Sequence, residues 1–163
     1  YCYRVASCVG ILSAHIFGYK NKNTLTFAKN LGIALQLTNI IRDLGEDARR
    51  GRIYIPLDEL KKLSVSEEEI ISLKNSDKIK KLVKNQVGRA IKFYSLAIKT
   101  LPAEDKKSQK IGLIMGNIYF VLLNEILKDN PEKILNQKTI LPGFRKLRIS
   151  ILTMLGFSWI KNT

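Results

Sequence analysis

Leu35-Gln36-Leu37-Thr38-Asn39-Ile40-Ile41-Arg42-Asp43-Leu44-Gly45-Glu46-Asp47-Ala48-Arg49-Arg50-Gly51-Arg52-Ile53-Tyr54-Ile55-Pro56 is the stretch that decides both the fold and the chemistry of this chain. Leu37, Ile40, Ile41, Leu44 and Ala48 recur at helical spacing, and Gly51 supplies a C-terminal stop. At about 100° per residue, Gln36, Asn39, Asp43 and Asp47 fall within roughly 80° of one another along three turns. This polar stripe borders the apolar arc instead of opposing it, so it is expected to line a cleft.

Carboxylates four apart on a bare helix repel each other by about a few tenths of a kcal/mol, so their placement calls for a cation. Magnesium suits Asp43 and Asp47, because it takes hard oxygen ligands and is typically held by one or two carboxylates together with substrate phosphates. Arg42, Arg49, Arg50 and Arg52 surround the pair and offer forked hydrogen bonds to further phosphate charge. The same spacing also arises by chance at helix ends, where Arg49 and Arg50 would only complement the C-terminus. Gln36 and Asn39 favour the metal reading, since amides suit a ligand shell or a phosphate better than a core wall.

On either side the chain reads as helix. Tyr1, Val5, Cys8, Leu12 and Ile16 mark a first helix that Gly18 ends; Thr24 is the expected cap of a second, running to Gly51. Pro56 biases Ile55 toward an extended form, which makes residues 52–56 a flap. A short helix over 57–63 follows, and Ser66 with Glu69 forms a capping box for the next. Residues 77–101 and 104–129 are two long amphipathic helices separated by Pro102, and Pro142 opens a last one through Leu155. No strand pattern is present, so the expectation is an all-α helical bundle, one domain over residues 1–163.

Twenty-eight Lys and Arg against fourteen Asp and Glu leave a net charge of +14, which would attract nucleic acid, anionic membrane or phosphorylated small molecules. Charge alone does not select nucleic acid: much of the excess is Lys in solvated-face runs at 78–84 and 106–110. Cys2 and Cys8 lie about 240° apart on a helix and cannot bridge within it, and His15 has no partner at ligand spacing, so neither a disulfide nor zinc is indicated. Reduced thiols point to a cytoplasmic setting. The chain opens at Tyr1 inside a helix without an initiator Met, so upstream sequence is expected.

The quoted string strongly resembles the second aspartate-rich motif of the squalene and phytoene synthases. Tyr1-Cys2-Tyr3-Arg4-Val5-Ala6-Ser7, followed by Val9-Gly10, resembles the Tyr-Cys-x-x-Val-Ala-Gly segment of the same family, with Ser7 in place of the usual glycine. The resemblance implies an all-α isoprenoid-synthase bundle that condenses two prenyl diphosphates head to head. Two aspartate-rich helices there hold magnesium on the diphosphate, and Asp43 and Asp47 match one of them, with Asn39 as a further metal contact. Gln36 and Asn39 would also touch the diphosphate, and Arg42 and Arg52 would neutralise it. Tyr1 matches the tyrosine credited with proton handling or cation steering.

Farther on, Ile118-Tyr119-Phe120 through Asn124-Glu125-Ile126 resembles the family's late aromatic helix, which makes Tyr119 a candidate pocket residue. Arg145 and Lys146 resemble a basic cluster that reaches toward diphosphate. Within the family, the closest likeness is to bacterial enzymes making presqualene diphosphate or squalene for hopanoids from farnesyl diphosphate; the rival is phytoene synthase, using geranylgeranyl diphosphate. A non-catalytic relative serving as an assembly or partner-binding protein is the other alternative. No nicotinamide-binding signature is visible, so NADPH is not indicated. The first aspartate-rich motif has no counterpart here, so the chain alone is expected to be inactive. Residues 144–159 mix Arg145, Lys146 and Arg148 with large apolar side chains, as an interfacial membrane helix or a core-packed one would.

Overall fold

The computed structural model describes residues 1–129 and 131–160, residues 131 and 132 by their backbone only. Among the described residues every regular element is helical, as the sequence implies. A π-helical turn, Tyr3–Ser7, runs into α1 (Cys8–Phe17). There follow α2 (Asn23–Arg42), α3 (Leu44–Arg49), α4 (Leu57–Lys62), α5 (Glu67–Ile71) and α6 (Asp77–Thr100). A 3₁₀ turn, Ala103–Asp105, precedes α7 (Lys110–Lys128), α8 (Pro131–Asn136) and α9 (Gly143–Met154).

The organising element is α2, which packs on α6, α1 and α7. It buries Phe27, Leu31, Ala34 and Ile41, with Phe27 and Leu31 beside Gly112 and Gly116 of α7, and it packs on an α6 whose buried stripe includes Ile79, Leu82, Val87, Ala90 and Tyr94. Each fully buried side chain of this size contributes about 1.5–3 kcal/mol relative to exposure. One buried polar link crosses the helix interface: the Thr38 hydroxyl and the Tyr94 hydroxyl lie 2.9 Å apart, and Thr38 donates to the Ala34 carbonyl at 2.9 Å. Phe120 of α7 closes the stack, its ring edge-on to Tyr94 at 5.3 Å.

The other face of α2 meets the N-terminal helix at backbone contact. A Cβ on Gly32 would lie 2.8 Å from the Ala6 carbonyl oxygen, and one on Gly10 would lie 2.7 Å from that of Ala28. Buried Ser7 donates to the Lys29 carbonyl at 2.9 Å, so the serine that replaces a glycine here adds a hydrogen bond to the close approach.

Four local features depart from expectation. The helix expected to run from Thr24 to Gly51 breaks at Asp43, whose backbone (φ −95°, ψ 7°) separates α2 from α3. Thr24 is no cap: its hydroxyl donates to Asp105 at 2.6 Å, and Asp105 also accepts from the Lys20 and Asn21 amides at 2.8 and 3.0 Å. The helix expected over 104–129 divides into the 3₁₀ turn and α7, while α8 is an element the pattern did not announce. The rest follow the sequence: Gly18 and Gly51 take positive φ after their helices, Ser66 and Glu69 form a complete capping box, and 52–56 is non-helical with Ile55 buried. By length and apolarity α7 could cross a bilayer, but it packs against α2, α6 and α9.

Candidate active site

A cavity of about 280 Å³ opens between the N-terminal helix, α2 and α7. Val5, Val9, Phe17, Phe27, Leu31 and Leu35 give it apolar walls, and Gln36, Asn39 and Tyr119 are among the few polar groups on its lining. Gly10 and Gly32 let the N-terminal helix approach α2 at backbone contact, and Gly112, without a side chain, lines the α7 side of the cavity.

The polar stripe continues beyond the cavity in helical register. The Asp43 amide bonds to the Asn39 carbonyl and the Asp47 amide to the Asp43 carbonyl, each at 2.8 Å, so Asn39, Asp43 and Asp47 occupy successive turns despite the kink. Arg42 grips Asp43 with both prongs, Nε to Oδ1 at 2.8 Å and Nη2 to Oδ2 at 2.7 Å. Lys138, in the loop between α8 and α9, reaches Asp43 Oδ1 at 2.9 Å and Glu46 Oε2 at 3.1 Å.

The two carboxylates are therefore in different electrostatic states. Burial pushes Asp43 up, but the hydrogen bonds from Arg42 and Lys138 outweigh it and hold the group below the ordinary carboxylate range. Asp47 is raised, first by desolvation and then by the charges of Asp43 and Glu46, with Arg50 and Arg52 offsetting only part. Asn39 Oδ1 is buried with no hydrogen-bond partner among the described residues. An unpaired amide oxygen in helical register with one strongly paired and one partly compensated carboxylate is a hard-oxygen donor set that fits a divalent cation. Among the described residues no three acidic, His or Cys side chains converge, so these donors form part of a shell, as expected where water and phosphate complete it.

The remaining residues singled out in the sequence divide. Tyr119 lines the cavity and its hydroxyl stands beside Arg42. Tyr1 is largely exposed and stacks on Tyr54 at 5.1 Å; desolvation, then Tyr54, and more weakly Asp47, push its hydroxyl up. Arg52 is exposed; its amide donates to the Asp47 carbonyl at 2.9 Å, and its side-chain charge acts on the Asp47 carboxylate. Arg145 pairs with Glu125 of α7 at 3.0 Å and does not line the cavity. Arg49 does serve a helix C-terminus, that of α8, donating to the Leu135 and Asn136 carbonyls at 2.9 and 3.2 Å. Sequence reasoning passed over Lys138, one lysine among many with no local pattern to distinguish it, and Tyr54, which lies inside the quoted string.

A family model for squalene/phytoene synthase matches residues 1–145. This chain belongs to the squalene/phytoene synthase family. It is 36% identical over 160 residues to a phytoene synthase of Arthrospira platensis, covering 90% of this chain and 52% of that one. With the chloroplastic phytoene synthase 2 of Solanum lycopersicum it shares 42% over 132 residues, 77% of this chain and 43% of the relative. The crystal structure of a dehydrosqualene synthase in complex with ligand superposes with a TM-score of 0.82 at 25% identity, over 95% of this chain and 54% of that one. The squalene synthase HpnC from Alicyclobacillus acidocaldarius shares the fold, with a TM-score of 0.66 at 22% identity, over 80% of this chain and 51% of the other. The chain thus spans about half the length of the family members it matches.

Proposed function

We propose that this chain forms a diphosphate-binding wall of a head-to-head prenyltransferase, in which two prenyl diphosphates are joined with loss of diphosphate. One observation carries the reading: an apolar cavity has Gln36 and Asn39 on its lining, and the unpaired Asn39 oxygen continues into Asp43 and Asp47 along one helix face. Asp43, Asp47 and Asn39 Oδ1 would hold magnesium, which when bound supplies Lewis-acid stabilisation of the leaving diphosphate. Arg42 and Arg52 add fixed positive charge beside it. Val5, Val9, Phe27 and Leu31 bury the prenyl tail and keep water from the cation that diphosphate loss leaves. Tyr119, near Arg42, presents its hydroxyl and ring at that end, while Tyr1 stacks on Tyr54 outside the cavity lining.

Sequence relatives named phytoene synthases weigh toward geranylgeranyl diphosphate and phytoene over the squalene-type product first expected from the residues. Mass spectrometry of products formed from farnesyl and geranylgeranyl diphosphate, by the protein of the complete reading frame, decides between them. The binding test is direct. Pyrophosphate with Mg²⁺ should stabilise the protein by about 3 kcal/mol at a hundredfold excess over Kd. Asp47→Asn should abolish that gain yet leave the unliganded fold intact or slightly firmer, because Asp47 is charged at a cost. A melting-temperature rise identical in the variant removes Asp47 from the site. No rise in either protein, with a stable complex to another polypeptide, supports the non-catalytic alternative.

A second surface belongs to this reading. On α9, Phe144, Leu147, Ile151, Met154 and Leu155 form an exposed stripe opposite buried Ile149 and Thr153, with Arg148 at its edge. We propose that it rests on an anionic membrane, where apolar products would accumulate. Flotation with phosphatidylglycerol vesicles tests this, and equal flotation of wild type and Leu147→Glu overturns it.

A further inference from the structure

Asp43 already has a cation where a metal would be needed. Lys138 Nζ lies 2.9 Å from Asp43 Oδ1 and 3.1 Å from Glu46 Oε2, and Oδ1 also accepts from Arg42 Nε at 2.8 Å. With Oδ2 taken by Arg42 Nη2 at 2.7 Å, three of roughly four carboxylate lone-pair sites are occupied. By contrast, no ion pair within 4 Å is formed by Asp47 among the described residues. The two carboxylates expected to share one metal are thus asymmetric, and Lys138 is the main difference that can be withdrawn: Arg42 is the residue next to Asp43 in the chain, whereas Lys138 arrives from a loop 95 residues away.

The loop itself is anchored independently of that contact. Thr139 donates to Asp129 at 2.7 Å, the Gln137 amide bonds to the Lys133 carbonyl at 2.7 Å, and Leu141 is buried. The Lys138 side chain is 40% exposed, so it can swing into water without unfolding the loop that carries it. A lysine has three rotatable donors on a flexible stem and loses little by exchanging carboxylate for solvent. Glu46 keeps a second partner, Arg50 at 2.7 Å, and is not left bare when Lys138 departs.

We propose that Lys138 is a resident counter-cation for Asp43 that a divalent metal must displace, so that it sets the metal affinity of the site and keeps Asp43 compensated while no metal is bound. The inference rests on Asp43 and Asp47 being metal ligands. Its logic is competition: a metal ion and an ammonium cannot both lie against Asp43 Oδ1 without mutual repulsion, and the metal affinity of the site is lowered by whatever holds the lysine there.

The test is Mn²⁺ affinity, read from the free-ion electron paramagnetic resonance signal, with and without pyrophosphate. Lys138→Met should bind Mn²⁺ alone about fivefold more tightly than wild type, the scale of a half-exposed ion pair. Lys138→Arg, which keeps a cation on the loop, should stay close to wild type. Lys62→Met, which removes an equal charge paired with Asp58 and Glu59 on α4, controls for net charge and should change nothing. Equal or weaker Mn²⁺ binding by Lys138→Met, or an equal gain in Lys62→Met, overturns the counter-cation role while leaving the site in place. Absence of Mn²⁺ binding by wild type and Lys138→Met alike, with pyrophosphate present, overturns the metal site and the counter-cation role together.

Discussion

Gly32→Ala and Gly88→Ala are the same substitution in two helix interiors, and the structure gives them opposite signs. Replacing a mid-helix glycine with alanine gains about 1 kcal/mol from backbone entropy alone. At Gly88 of α6 a new Cβ meets nothing within 4 Å, so the gain is kept and the variant should be stabilised by roughly 0.5–1 kcal/mol. At Gly32 of α2 the Cβ would lie 2.8 Å from the Ala6 carbonyl oxygen and 2.8 Å from Ser7 Cα. Both are backbone atoms that cannot rotate away, so α1 must shift bodily. Overpacking of this kind costs about 1–3 kcal/mol, and the rigid neighbours place it in the upper half. After the propensity gain, a net loss of about 1–2 kcal/mol remains.

The two variants should therefore differ by about 1.5–3 kcal/mol, which for a chain of this length separates their melting temperatures by roughly 3–12 °C. Urea denaturation followed by circular dichroism measures the difference at one temperature and shows whether the slope stays constant. Gly32→Ala should also weaken binding of a prenyl diphosphate more than that of pyrophosphate, because the displaced segment carries the Val5 and Val9 walls of the cavity. Equal stability of the two variants, or stabilisation by Gly32→Ala, would refute the claim that backbone contact between α1 and α2 builds the site.

Thr38→Val should cost about 1–3 kcal/mol, because it leaves the Tyr94 hydroxyl buried without a partner, whereas Tyr94→Phe leaves Thr38 bonded to the Ala34 carbonyl and should cost about 1 kcal/mol; chemical denaturation of both variants checks the order. Asp105 is pushed up by burial, but the hydrogen bonds from Thr24 and the Lys20 and Asn21 amides outweigh it and hold it below the ordinary range. Its stabilising contribution is full above the unfolded value of about 3.9 and is lost as pH falls through the folded value. Urea midpoints taken from about pH 6 down to about pH 3 should therefore fall less steeply in Asp105→Asn than in wild type.

Elements whose cause is local were legible in the sequence, and those whose cause is distant were not. The capping box at Ser66 and Glu69, the glycine stops at Gly18 and Gly51 and the apolar stripe of α6 all depend on residues within a turn or two. The helix α8 does not: it is six residues long, with Ile134 and Leu135 buried and its terminal carbonyls held by Arg49. Its docking needs Gly45, since a Cβ there would collide with the Leu135 carbonyl oxygen. A helix of that length has no independent stability and leaves no signature. Thr24 obeyed the capping rule on paper, but its partner lies 81 residues away. Arg145 stands out by its likeness to a basic cluster, a signal that carries no information on its partner Glu125, 3.0 Å away on α7.

Thr38 and Asn39 show why the site could be read at all. They are adjacent polar residues on one helix, and both are unexpected in a run flanked by Leu37, Ile40 and Ile41. Thr38 faces α6 and is closed by two hydrogen bonds, so its polarity is consumed by the fold. Asn39 lines the cavity with a buried oxygen that nothing among the described residues satisfies. Leaving such a group unpaired costs about 1–3 kcal/mol, and folding alone gives no return for it. Gln86 Nε2 on α6 is likewise unpaired, but an amide nitrogen has no lone pair to offer a cation and marks no such site. What separates Asn39 from its neighbour is an acceptor left open on the face that continues, one turn at a time, to Asp43 and Asp47.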